Sequence, residues 1–280
     1  MPWLSLTVPD RELLSGRCGV AHVAAKKVSC LMVKRTGPTP AEALTIAEAV
    51  FHTRYDGAAF AYAAGSIMRG EGTYLSDIDL VVVFDRLDAA RRESFTVDGV
   101  PIEAFVHDPE TLAWFVNEDV ARGRPSILNM IVEGKIVGPG QERANALRGE
   151  VAARLSSGPL PLSAASLNGL RYEITDAVDD LRGDRTAQEL LAIGAMLHPK
   201  LVELALRGRR RWNGTGKWAP RLLTNINADL ASRFDDAFRV LFAKGDAGPV
   251  IALAEAELAP HGGTLFDGDR REAPASWRVA

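Results

Sequence analysis

Two cysteines in 280 residues, Cys18 and Cys30, are too few for a disulfide scaffold, and their rarity fits a reducing cytosol. Together with His22 they lack the spacing of a zinc site. Long hydrophobic runs are missing too. The run of large apolar side chains from Leu80 to Phe84 falls far short of the ~20 residues that span a bilayer. The opening MPWLSLTVPDRELL has no basic segment leading into an apolar stretch, so no secretory signal is expected. Excess charge of one sign is also lacking. Lys and Arg number 33 against 36 Asp and Glu, which leaves a net charge of −3. That balance argues against a protein that coats long nucleic acid. Internal repeats and low-complexity tracts are absent. The expectation is a cytoplasmic chain without a membrane partner, long enough for one large or two modest domains.

What is present divides into three parts. Residues 1–36 carry Arg11, Arg17, Lys26, Lys27, Lys34 and Arg35 against Asp10 and Glu12, with no sustained period of two or 3.6. They read as a flexible or poorly defined arm. Residues 37–140 read as an α/β unit. Thr39-Pro40-Ala41-Glu42 is a capping box with proline at the first helical position. Strands are expected over Ala58–Ala64, Asp77–Phe84 and Val100–Val106, the last entered through an Asp98-Gly99 hairpin turn. Helices are expected from Asp108-Pro109 and from Pro125, then a short strand at Lys135–Val137 and a break at Gly138-Pro139-Gly140. Residues 141–280 show helical stripes and no strand. Leu167, Leu170, Ile174, Ala177, Val178 and Leu181 form one, and Leu190, Ile193, Leu197, Leu201 and Leu204 another. The fold class is therefore α+β, a small mixed-sheet domain followed by a helical domain.

The chemistry concentrates at one place. Asp77 and Asp79 stand two apart on a strand, so both carboxylates leave the same face. Adjacent carboxylates repel, and holding them together implies a cation; hard oxygen ligands of this kind suit Mg²⁺. Glu103, within Ile102-Glu103-Ala104-Phe105, is a third acid set among apolar residues, costly unless a metal or donor satisfies it. Upstream, Gly65-Ser66 ends a strand and presents backbone N–H groups and a hydroxyl to an anion, and Arg69 adds a guanidinium fork. Phosphate donors and metal carboxylates placed this close suit metal-dependent phosphoryl or nucleotidyl transfer.

The string Ala64-Gly65-Ser66, a spacer of ten, Asp77-Ile78-Asp79-Leu80 and then Ile102-Glu103-Ala104 resembles the signature of the DNA polymerase-β-like nucleotidyltransferase superfamily. Gly65-Ser66-x-x-Arg69-Gly70 is similar to its longer form, in which the arginine contacts nucleotide phosphates. Ser76 is similar to a serine that helps bind nucleotide in bacterial antibiotic adenylyltransferases. Gly214-Thr215-Gly216-Lys217-Trp218 is no P-loop, since Arg211 and Trp218 stand where glycine and Ser or Thr belong. It resembles a glycine-lysine-tryptophan segment in which a helical-domain lysine reaches the triphosphate. The close resemblance covers about residues 58–107, and the helical half fits the layout of aminoglycoside- and lincosamide-type nucleotidyltransferases.

The resemblance implies Asp77, Asp79 and Glu103 as catalytic residues and ligands of two Mg²⁺ ions, Glu103 also as general base. It implies Gly65, Ser66, Arg69, Ser76 and Lys217 as nucleotide-binding residues. The co-substrate would be a nucleoside triphosphate, ATP being the first choice, and the acceptor a hydroxyl of a small molecule. Two alternatives remain: transfer to tRNA or protein hydroxyls, as in toxin–antitoxin nucleotidyltransferases, and a nucleotide-binding regulatory module without catalysis. Glu173, Asp176 and Asp180 share one helical face and either line a cleft for a cationic acceptor or lie in solvent. His198 reads as a packed histidine, Asp235-Asp236 as surface, and His107 as a neighbour of the third acid without an assigned role.

Overall fold

The computed structural model describes residues 37–278. The basic arm, Cys18 and Cys30 lie outside the described residues. Chain order begins with the capping box, where the Thr39 N–H donates to Glu42 Oε2 at 2.7 Å and the Glu42 N–H donates to Thr39 Oγ1 at 3.3 Å. It starts α1 (Pro40–Arg54). Then follow β1 (Phe60–Ala64), β2 (Ile78–Val83), β3 (Arg91–Val97) and β4 (Val100–His107). Next come α2 (Pro109–Arg122), α3 (Ser126–Glu133), β5 (Lys135–Val137) and α4 (Gln141–Ser157). The remaining helices are α5 (Ala164–Arg182), α6 (Ala187–Arg207), α7 (Trp218–Ile226), α8 (Ala228–Lys244) and α9 (Gly248–Leu258).

The five strands form one mixed sheet in the order β3-β4-β2-β1-β5. β2 and β4 run parallel, and the other neighbours are antiparallel. The fold class is α+β, as the residue pattern implies. The Asp98-Gly99 turn has φ of 50° and 80°, the doubly positive geometry of a type I′ hairpin. It joins β4 to β3, a strand the hydrophobic pattern does not announce. β3 reads RRESFTV and is an exposed edge, so its charged residues mask the alternation while protecting the edge from mispairing.

Side-chain alternation sends the two sheet faces to different cores. Ala61, Ala63, Ile78, Leu80, Val82, Ile102 and Ala104 pack with Ala43, Ala47, Val50 and Phe51 of α1. Phe60, Tyr62, Val81 and Val83 pack instead with Leu112 and Val116 of α2, Ile127, Leu128 and Ile131 of α3, and Ala144 and Val151 of α4. α4 follows the Gly138-Pro139-Gly140 break yet belongs to the sheet's core, held by the Tyr62 hydroxyl donating to the Ala144 carbonyl at 2.7 Å. The helical core begins with α5, where Ile174, Val178, Leu197, Leu201, Phe234, Phe238, Val250 and Leu258 are buried together. The described residues nonetheless belong to one compact unit.

A single buried guanidinium joins the two cores. Arg207, at the end of α6, donates to the Arg122 carbonyl through Nη1 and to the Leu160 carbonyl through Nη2 at 2.8 Å. Gly123 closes α2 in the left-handed conformation, φ 68°. A Cβ there would lie 1.9 Å from Arg207 Nη1, so only glycine admits the arginine. Gly123→Ala should therefore destabilise the fold by roughly 2 kcal/mol or more, through backbone strain plus displacement of Arg207. Urea unfolding checks this, and an unchanged midpoint would contradict the joint.

Candidate functional site

The site forms where β1 ends and β2 begins. Parallel pairing sets Asp79 beside Glu103 on the neighbouring strand, and Asp77 immediately precedes β2. One carboxylate oxygen from each of Asp77, Asp79 and Glu103 lies within 4.8 Å of the others, and all three side chains are half-buried. Among the described residues no other His, Cys, Asp or Glu group reaches this geometry. Three hard oxygen donors at this spacing fit Mg²⁺. Glu103 Oε1 also accepts from Arg92 Nη2 across the β3–β4 pair, which fixes its rotamer. A carboxylate has about four lone-pair sites, so that bond leaves capacity for a cation.

Burial holds Asp79 protonated up to a pKa of about 7, and the neighbouring charges of Asp77 and Glu103 push the same way. Arg69 and Lys217 offset part of the rise. Lys217 thus lies within electrostatic reach of Asp79, although it is 138 positions further along the chain.

The Gly65-Ser66 turn is built around the same carboxylate. Ala64 pairs with Asp79 in the antiparallel register, and Gly65 follows with φ 98°. A Cβ on Gly65 would stand 2.5 Å from Asp79 Oδ2. The glycine is needed first for the close approach of Asp79, whatever anion the turn also receives. Ser66 to Glu71 then form a tight turn, with the Glu71 N–H on the Ser66 carbonyl at 2.9 Å and the Gly70 N–H on the Ile67 carbonyl at 2.8 Å.

Gly65, Ser66, Arg69, Asp77, Asp79 and Lys217 line one cleft of about 280 Å³. Glu103 joins them through the carboxylate cluster. Ser76 does not line it. Its hydroxyl accepts the Thr73 N–H at 2.9 Å, closing the turn that delivers Asp77 to the sheet. The structure brings Arg124, Ser126, Asn129, Met130 and Asn213 to the same cleft, none of which the motifs point to, together with Trp218 of the glycine-lysine-tryptophan segment. Arg124-Pro125-Ser126, a cation directly before a proline-initiated helix, is the one signal that could have flagged the first of them.

Two guanidinium groups, those of Arg69 and Arg221, each lie 5.2 Å from the Trp218 ring. Glu71 binds both arginines, at 3.5 Å and 3.1 Å, and Glu133 binds Arg69 at 3.0 Å. This latch ties the Ser66–Glu71 turn to α7. Two cations already engage the Trp218 ring, which makes it part of this clamp.

The remaining candidates fall elsewhere. His107 is buried against Phe115 at the far end of β4, four residues or ~13 Å along the strand from Glu103. His198 packs on Phe238 at 4.7 Å, and burial lowers its pKa. Glu173 pairs with Lys200 and Asp180 with Arg185, and the acidic face of α5 does not line the cleft. Asp235 and Asp236 pair with Arg239 on the surface of α8.

No family model and no curated protein matches the chain. Among solved structures it is similar to a nucleotidyltransferase-like protein from Exiguobacterium sibiricum 255-15, with 9% identity and a TM-score of 0.42. The match covers 76% of this chain and 73% of that one.

The carboxylate cluster sets a pH dependence. The folded state holds the Asp79 proton up to about pH 7, whereas an unfolded aspartate releases it near 3.8. The folded state therefore binds more protons across that window, and metal-free stability should fall as pH rises through it. Asp79→Asn should raise the metal-free melting temperature at pH 8 by several degrees and remove the further rise that Mg²⁺ gives the unaltered protein. Thermal melts with and without Mg²⁺ measure both effects. An unaltered Mg²⁺ response in the variant would exclude Asp79 as a ligand.

Proposed function

We propose that the chain is a metal-dependent nucleotidyltransferase that moves a nucleoside monophosphate, AMP from ATP, to a hydroxyl of a small-molecule acceptor and releases pyrophosphate. The observation that carries this reading is the convergence of three carboxylates, a strand-ending Gly-Ser turn and a lysine from the helical half on one cleft. Asp77 and Asp79 would hold one Mg²⁺ and share a second with Glu103. Bound there, Mg²⁺ supplies charge neutralisation on the phosphates and polarisation of the reacting phosphorus.

The protein's own groups would do the rest. Ser66 and the backbone of its turn would orient the phosphate tail, with Arg69 on one wall and Lys217 on the other. Arg69 would exchange a carboxylate partner for phosphate as it did so, since Glu71 and Glu133 both hold it. Glu103, oriented by Arg92, would take the proton of the attacking hydroxyl. Beyond the metal acids the cleft offers one carboxylate, Glu133, already bound to Arg69. That charge balance favours a neutral or anionic acceptor over a polycation.

Transfer from α-labelled ATP with Mg²⁺ tests the reading. The acceptor panel holds aminoglycosides, lincosamides, tRNA and the protein itself. Label should move to one acceptor class, and Asp77→Ala or Asp79→Ala should drop transfer below detection while leaving the far-ultraviolet circular dichroism unchanged. Transfer at the unaltered rate in either variant would sink the assignment. Labelled tRNA or self-labelled protein would shift it to the macromolecular alternative. Mg²⁺-dependent ATP binding without pyrophosphate release would favour the regulatory module.

A further inference from the structure

Three cations line the cleft beside the acids, and they differ in how they are engaged. Arg69 is held by two glutamates and stacked on Trp218. Lys217 and Arg124 are exposed and form no ion pair among the described residues. Arg124 is the one the motif does not announce. Its backbone is pinned on both sides. Its N–H donates to the Asp119 carbonyl at 2.9 Å, and its carbonyl accepts the Ser126 N–H at 2.9 Å.

The nearby carboxylate of Asp119 is buried and spent, accepting the Ile127 N–H at 2.6 Å and Arg122 Nη2 at 3.0 Å. It fills the start of α3, so an anion entering the cleft meets the Arg124 side chain and not open helix N–H groups. Behind it stands Arg207, 4% exposed, whose Nε is buried without a hydrogen-bond partner. Burial lowers the pKa of Arg207, and the charge of Arg124 adds a smaller lowering that the carboxylate of Glu203 opposes.

We propose that Arg124 is a phosphate-binding residue, gripping the phosphate tail of the nucleoside triphosphate from the α2–α3 joint, across the cleft from Lys217. The inference rests on the nucleotidyl-transfer reading and adds to it a residue outside the resemblance. In its bidentate fork geometry a guanidinium bonds two phosphate oxygens at once, which a lysine cannot reproduce.

Equilibrium titration with Mg²⁺-ATP and with Mg²⁺-pyrophosphate separates the possibilities. Arg124→Ala should weaken both about tenfold, the size expected for one charge-assisted contact. Arg124→Lys should recover part of the loss. Arg86→Ala, a surface arginine paired with Glu110 away from the cleft, should bind both probes as the unaltered protein does. Failure of the unaltered protein to bind Mg²⁺-ATP would overturn the nucleotidyl-transfer reading and this inference with it. Binding by the unaltered protein that Arg124→Ala leaves intact would overturn this inference alone. So would a variant that binds both probes normally but turns over slowly, because Arg124 would then contact the acceptor and not the nucleotide.

Discussion

Repulsion among Asp77, Asp79 and Glu103 is the constraint around which the rest is arranged. At 4.8 Å or less, three carboxylates do not share a half-buried pocket without compensation. The chain supplies it in layers. Arg92 reaches Glu103 from the edge strand, and the charges of Arg69 and Lys217 act on Asp79. Burial first, and then the charges of Asp77 and Glu103, outweigh this compensation and raise the pKa of Asp79. A site left in that condition is poised for a divalent cation, since a metal brings more positive charge to the three oxygens than distant side chains can.

Backbone economy follows from the same constraint. Asp79 presses against Gly65 so closely that a side chain there would overlap its carboxylate. The parallel pairing of β2 with β4 sets Asp79 and Glu103 in register, and the hairpin at Asp98-Gly99 returns the chain to make that pairing. The sheet's apolar residues, split between two cores, hold the acids at its rim, where solvent and substrate can reach them.

Much of this was legible in the residues. Helix starts at Thr39 and Asp108, the I′ turn, the acids two apart and the glycine-serine step all act through local rules, and local rules survive without tertiary information. β3 and α7 were not legible. β3 is an edge whose charges hide its alternation, and α7 starts at Lys217 without a side-chain cap. The placement of α4 on the sheet and the arrival of Arg124 at the cleft depend on contacts between distant segments. Periodicity cannot report these. The acidic face of α5 shows the converse: its spacing suggested a cleft, but Lys200 and Arg185 from outside the helix take up two of its carboxylates.

The two walls of the cleft are held in register by a different device at each end. At one end the Arg69–Glu71–Arg221 chain, with both arginines against Trp218, is partly exposed, and such ion pairs contribute little in water. At the other end, Arg207 is buried, its guanidinium bonds two carbonyls, and the Asn213 N–H donates to the Gly123 carbonyl at 2.7 Å. Removing a buried, hydrogen-bonded charge is far more costly than breaking a solvated pair. The asymmetry makes the Arg207 end the fixed joint and the Trp218 end the one that can yield. Arg69 is part of the weak latch and is also the arginine proposed to bind the phosphate tail. Opening the latch and engaging an anion would then be competing uses of one side chain, so the carboxylates of Glu71 and Glu133 set the threshold that an entering anion must exceed.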